Sequence, residues 1–315
     1  MRKLLWGVIP PLAGLILLVF PEWTWGQAKV ATAGAQFLEL GVSARAIGMG
    51  DAFLSICDDA SAVYYNPAGL TQLAERQALF THVTYPAEIN YEFAALAYPT
   101  PRFGGVWGVG FCMVNAGDMP FTGEYKVGVN PTQTFTAKDY ALSFSYARSL
   151  TDRFNVGLTL KVIDELYDTE RATGWAADVG TLYDTGFKGF KIGMMISNFG
   201  PDLKFISESY PIPMNFKFGG VLDLFRMENH RAVIAVEGSH PSDNMEKFNA
   251  GVEYWFKDLL SLRLGDYFQY DAGGISAGGG VRINASKSAK LSLDYGYHDM
   301  GNLNGLHRFS LGVTF

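Results

Sequence analysis

The chain closes on His307-Arg308-Phe309-Ser310-Leu311-Gly312-Val313-Thr314-Phe315, a stretch that alternates strictly. Phe309, Leu311, Val313 and Phe315 fall on one face, and Arg308, Ser310, Gly312 and Thr314 on the other. A repeat of two is the side-chain period of a β-strand. A strand apolar on one side and small or polar on the other suits the last strand of a transmembrane barrel, whose wall meets lipid outside and a polar lumen inside. A soluble sandwich could supply one such strand as well, so the rest of the chain has to decide.

After residue 76 the same alternation recurs between turn-rich breaks. It predicts strands at 77–85, 91–98, 104–115, 139–147, 154–163, 174–183, 190–199, 215–222, 230–237, 246–256, 260–267, 275–283, 290–297 and 307–315. Phe154, Val156, Leu158, Leu160 and Val162 oppose Asn155, Gly157, Thr159 and Lys161; Leu291, Leu293, Tyr295 and Tyr297 oppose Ser292, Asp294 and Gly296. Lengths of about 8 to 12 residues match tilted strands crossing a bilayer core. A cation at Leu158, Leu160, Leu291 or Leu293 is therefore expected to cost much more than one at Thr159 or Ser292. Tyr85, Tyr91, Tyr98, Tyr183, Tyr254, Trp255 and Tyr267 fall near strand ends, where they suit either interfacial girdles or ordinary strand packing.

The breaks carry a second signal. Those after even strands are short (99–103, 148–153, 184–189, 223–229, 257–259 and 284–289), while several after odd strands are longer, notably 116–138, 164–173, 200–214 and 298–306. Short turns at one end and long loops at the other mark outer-membrane barrels, and a soluble sandwich has no reason to sort its loops by parity. The fold class expected is all-β: a transmembrane antiparallel β-barrel of about 14 strands over 77–315. Both termini are expected at the short-turn, periplasmic end of a Gram-negative outer membrane.

At the start, Arg2 and Lys3 precede an apolar run from Leu4 to Phe20, broken by Pro10, Pro11 and Gly14, and Thr24-Trp25-Gly26 follows. That pattern reads as a secretory signal peptide over 1–26. No later stretch approaches the roughly 18 apolar residues of a helical span. Hydrophobic residues nevertheless make up 48% of the chain, in alternation rather than blocks, which points to strands. A net charge of −6 argues against a nucleic-acid partner. Cys57 and Cys112 stand far apart, permitting a disulfide but better suiting small apolar packing. No metal-ligand spacing and no cofactor motif occurs. The five histidines, His82, His230, His240, His298 and His307, form no triad pattern, and no nucleophile elbow is present, so no catalytic residue is assigned.

Residues 27–76 behave differently from the strands. Gly48 and Gly50 permit a tight bend, Asp58 or Asp59 is placed to cap a helix over Ala60–Tyr65, and Asn66 with Pro67 repeats a capping pattern. A compact piece of about 40 residues fits the lumen of so wide a barrel as a plug. Gly41-Val-Ser-Ala-Arg45-Ala-Ile-Gly48-Met-Gly50-Asp-Ala-Phe, then Asp58-Asp59 and Asn66-Pro67-Ala68-Gly69-Leu70, resembles the N-terminal hatch of the PorV/PorQ family, within the wider FadL-like group. The resemblance implies a 14-stranded outer-membrane barrel with an internal hatch. It implies either a role in type IX protein secretion, with machinery subunits or cargo as partners, or passive transport of hydrophobic molecules. Arg45, Gly48, Gly50, Asp58, Asp59, Asn66 and Pro67 are carried over as structural hatch positions. Asp178, Glu253, Arg263, Arg282 and Asp294 fall on lumen-side positions, where they could either hold the hatch or line a passage.

Overall fold

The strand that ends the chain pairs with the strand that begins the barrel, so the sheet has no free edge. In the computed structural model, which describes residues 30, 32–100, 104–120, 134–286 and 288–315, the barrel strands are β1 (Gln77–Thr84), β2 (Asn90–Thr100), β3 (Gly105–Pro120), β4 (Thr134–Ser149), β5 (Phe154–Tyr167), β6 (Glu170–Asp184), β7 (Lys191–Phe199), β10 (Asn215–Arg226), β11 (His230–Pro241), β12 (Lys247–Phe256), β13 (Leu260–Phe268), β14 (Ile275–Asn284), β15 (Lys290–Asp299) and β16 (Gly305–Thr314). They form a closed barrel of neighbours in chain order, with β16 beside β1, every pairing antiparallel. A short hairpin, β8 (Leu203–Phe205) and β9 (Glu208–Tyr210), interrupts the β7–β10 connection.

Alternation sorts side chains as a two-environment wall requires. Leu158, Leu160, Leu262, Leu264, Leu293, Phe309, Leu311 and Phe315 are exposed on the outer face, whereas Arg308 and Ser310 of β16 are buried inside. Ser310 Oγ lies 2.7 Å from Thr81 Oγ1 across the closing seam. The inward row is tightly packed. Thr159 is fully buried and lies 2.8 Å from Ser145 Oγ, so the expectation that a cation is cheap there fails. Of the aromatics near strand ends, Tyr98 and Tyr183 point outward, but Tyr91, Trp255 and Tyr267 are buried in the lumen.

Several strands run further than the apolar alternation suggests. β5 and β6 meet across residues 168–169 alone, and β3, β4, β15 and β16 reach well into the segments expected as loops. The reason is that a ladder needs backbone pairing, not apolar side chains. Beyond the apolar band, Arg171 and Asp164 make a bidentate pair across it at 2.6 and 2.8 Å, holding the polar hairpin together. Residues 200–214 remain a long connection, folded inward so that Leu203 and Ile212 are buried. The expected signal peptide and the centre of the 116–138 segment lie outside the described residues.

The N-terminal segment threads the lumen from one mouth to the other. Gly34 N donates to Pro211 O at 2.9 Å, beside the 200–214 connection. At the other end Phe315 N donates to Arg76 O at 2.9 Å. The first described residues therefore lie at the mouth opposite the C-terminus, a correction to the expectation that the two ends sit together. Between these points come two short helices, α1 (Ala44–Ile47) and α2 (Ala62–Tyr65), and 3₁₀ turns at Gln36–Glu39 and Pro67–Gln72. Phe37, Ile47, Met49, Phe53, Val63 and Leu70 are buried, and these residues join the inward rows of the strands in one apolar core.

Candidate functional site

Two features of the lumen could carry function: the anchor of the N-terminal segment and a polar chamber beside it. Helix α1 delivers Arg45 to the inner wall, where its side chain is 5% exposed. Nε and Nη2 donate to Oε1 and Oε2 of Glu253 on β12 at 2.7 and 2.8 Å, while Nη1 reaches Asp58 and, at 3.2 Å, Asp59 of the segment itself. Glu253 also accepts from Arg263 Nε at 2.8 Å, and Arg263 Nη1 donates to Asp294 at 2.7 Å. The result is one continuous buried chain of opposite charges from segment to wall. A planar, bidentate guanidinium suits such a site better than a lysine point charge. Of the other lumen charges noted in the sequence, Asp178 pairs with Lys161 at 2.7 Å, and Arg282 lies over the Trp255 ring.

The carried-over positions all lie along this segment. Gly50 has φ +63°, and a side chain there would sit 2.8 Å from the backbone of Asp266. Gly48 abuts Gly278, leaving no room for a Cβ on either. Gly251, Gly265 and Gly296 clear further space on β12, β13 and β15 where Met49, Gly50 and Ala44 touch the wall. Asn66 caps the Pro67–Gln72 turn, its Oδ1 accepting from Ala68 N at 3.1 Å, with Pro67 at the first position. Its Nδ2 donates to Leu54 O at 3.1 Å and to Thr181 O of β6 at 3.0 Å. Asp59 does not cap a helix over Ala60–Tyr65 as expected. The helix starts at Ala62 without a side-chain cap, and Asp59 instead turns the chain before it by accepting from Ser61 N at 2.9 Å.

Asn66→Ala should therefore lose more than the ~1 kcal/mol of a simple cap. It also strips the donor from the buried Leu54 carbonyl and the partly buried Thr181 carbonyl, bringing the expected local loss to about 2 kcal/mol. Amide hydrogen exchange over residues 54–70 should accelerate accordingly; unchanged protection would refute this account of Asn66.

The chamber occupies the half of the lumen nearer the 200–214 connection. It has a volume of ≈ 100 Å³. Lys161, Lys217, Lys247, Glu39, Asn215 and Tyr270 are among the residues that line it. Lys161 Nζ is held by Asp178 and by Asn198 Oδ1, each at 2.7 Å. Lys217 stands 3.8 Å from Glu237, whose other oxygen accepts from Phe53 N and Leu54 N at 3.1 and 3.0 Å. Lys247 Nζ lies 5.0 Å from the Tyr270 ring centroid and makes no ion pair among the described residues. Asn215 donates to Glu39 Oε1 at 3.3 Å, but its own Oδ1 is buried without a partner. Burial pushes the Glu39 carboxyl above its ordinary range, against the pull of Lys247. Sequence reasoning missed this chamber. Lys161 was visible on an inward row, but nothing local showed that lysines of three strands converge.

Cys57 and Cys112 are both buried free thiols. Ser239 faces the lumen while His240 points out of the wall beside Glu246, so these neighbours diverge.

Solved structures share this architecture. The toluene transporter TodX of Pseudomonas putida matches with a TM-score of 0.60 at 12% identity, over 85% of this chain and 96% of its own. The toluene transporter TbuX of Ralstonia pickettii matches with a TM-score of 0.60 at 13% identity, over 87% and 97%. The chain has the fold of the FadL-like outer-membrane barrels. A Pseudomonas aeruginosa FadL homologue agrees, with a TM-score of 0.54 at 11% identity, over 87% of this chain and 98% of that one. No family model matches the sequence, and no curated protein matches it.

Proposed function

We propose that the chain is a FadL-like channel of the Gram-negative outer membrane, in which residues 27–76 form a hatch gating passive passage of hydrophobic small molecules through the 77–315 barrel. One observation carries most of this reading. The described part of the segment fills the lumen by contacts that can be broken and remade, without a disulfide, in the fold of two toluene transporters. The cargo class is taken from those neighbours, which share the fold. The exposed outer rows of leucine and phenylalanine suit membrane lipid, and the signal peptide at 1–26 suits export.

The second reading is a PorV/PorQ-type partner of type IX secretion. It rests on the hatch resemblance and on the polar, small chamber, because a protein that docks secretion subunits or cargo needs no continuous passage. Uptake by cells lacking their own hydrocarbon channels separates the two. Expressing the chain should raise the initial uptake of a radiolabelled monoaromatic hydrocarbon several-fold over empty-vector cells. Unchanged uptake would sink the transport reading, and recovery of secretion subunits with the protein in mild detergent would then favour the second.

A further inference from the structure

We propose that the chamber is a binding site for a small, net-neutral polar solute, of glycine or glycerol size, that both donates and accepts hydrogen bonds. This goes beyond the channel reading, whose hydrophobic cargo it does not use, and it does not rest on that reading. The lining carries lysines at 161, 217 and 247 against carboxylates at Glu39, Asp51 and Glu237. Signs are balanced, so a simple anion entering beside the lysines also meets Glu39 and Glu237, and a simple cation meets the lysines. A hydrocarbon would strip water from all of them and give nothing back, which is the costly way to bury polar groups.

Two groups await a partner. Asn215 Oδ1 is a buried acceptor with no donor, on a residue 7% exposed. Lys247 Nζ lies over the face of Tyr270 and makes no ion pair among the described residues. A zwitterion can set its ammonium on the amide oxygen and its carboxylate on the lysine, and a polyol can set hydroxyls on both. Size agrees with this chemistry. The ≈ 100 Å³ available falls short of the ~150 Å³ apolar cavity that accepts benzene.

Saturation-transfer NMR on the full-length protein in detergent tests the site with three probes: glycine, glycerol and toluene. Glycine, glycerol or both should receive transfer, most strongly from tyrosine ring protons. Binding should weaken at least about tenfold when Asn215→Leu is combined with Lys247→Met, since both offered bonds are lost. In case that variant does not fold, transfer from selectively labelled tyrosines in the unaltered protein is an independent readout. Transfer to neither polar probe, transfer that bypasses tyrosine, undiminished binding in a folded double variant, or displacement of the polar probe by toluene would each overturn the proposal. Hydrocarbon uptake without polar binding leaves the channel reading standing and removes this one. Polar binding without uptake does the reverse.

Discussion

Arg45→Met should loosen the N-terminal segment by about 3 kcal/mol, because removing one partner leaves buried charge uncompensated. Glu253 would keep Arg263, but Asp58 and Asp59 would lose the cation between them and the wall. The readout is limited proteolysis of the folded barrel. Cleavage within residues 44–70 should accelerate by roughly a hundredfold if it follows the opened population, while the barrel strands stay resistant. Arg45→Lys should fall between, keeping charge but losing the two-pronged grip on Glu253. Equal protection in all three proteins would show that apolar packing alone holds the segment.

Leu160→Arg should destabilise the barrel by ~2–4 kcal/mol in a bilayer, as a cation placed near the midplane does. Thr159→Arg should also be costly, for a different reason. Leu160 is 52% exposed on the outer face, whereas Thr159 is fully buried against Ser145 and the segment. The outer-face penalty depends on hydrocarbon and should shrink when folding is measured in micelles that let the guanidinium reach water. The inner-face penalty is one of overpacking and should persist in both. If Leu160→Arg cost the same in micelles and vesicles, that row of side chains would not be facing lipid.

The barrel was legible because its wall separates two environments at every residue, and that separation is written as a period of two. Fourteen strands were countable for that reason. Where the separation ends, so does the signal. The polar ends of β5 and β6, held by Asp164 and Arg171, looked like a loop because charged and polar side chains fall on both faces there. Partners far apart in sequence were less accessible still. Ala35 N reaches Glu165, 130 residues away, at 2.9 Å, and that contact helps to place Ala35 at the far mouth. Arg45 and the capping pair Asn66-Pro67 were recognisable as a motif, yet the motif did not say that Glu253 or the Thr181 carbonyl would receive them. The chamber was illegible for the same reason, since its chemistry exists only once β5, β10 and β12 are side by side.

The seam between β1 and β16 also sets an order of events. Residues 34–76 lie inside a ring closed by β1 and β16, with Gly34 near one mouth and Arg76 at the other. A finished tube could admit this segment only as an extended chain, end first. A folded body joined ahead of Val30 could not be drawn through afterwards. It would have to cross while the seam was still open, so a bulky fusion at that end would set when the barrel can shut.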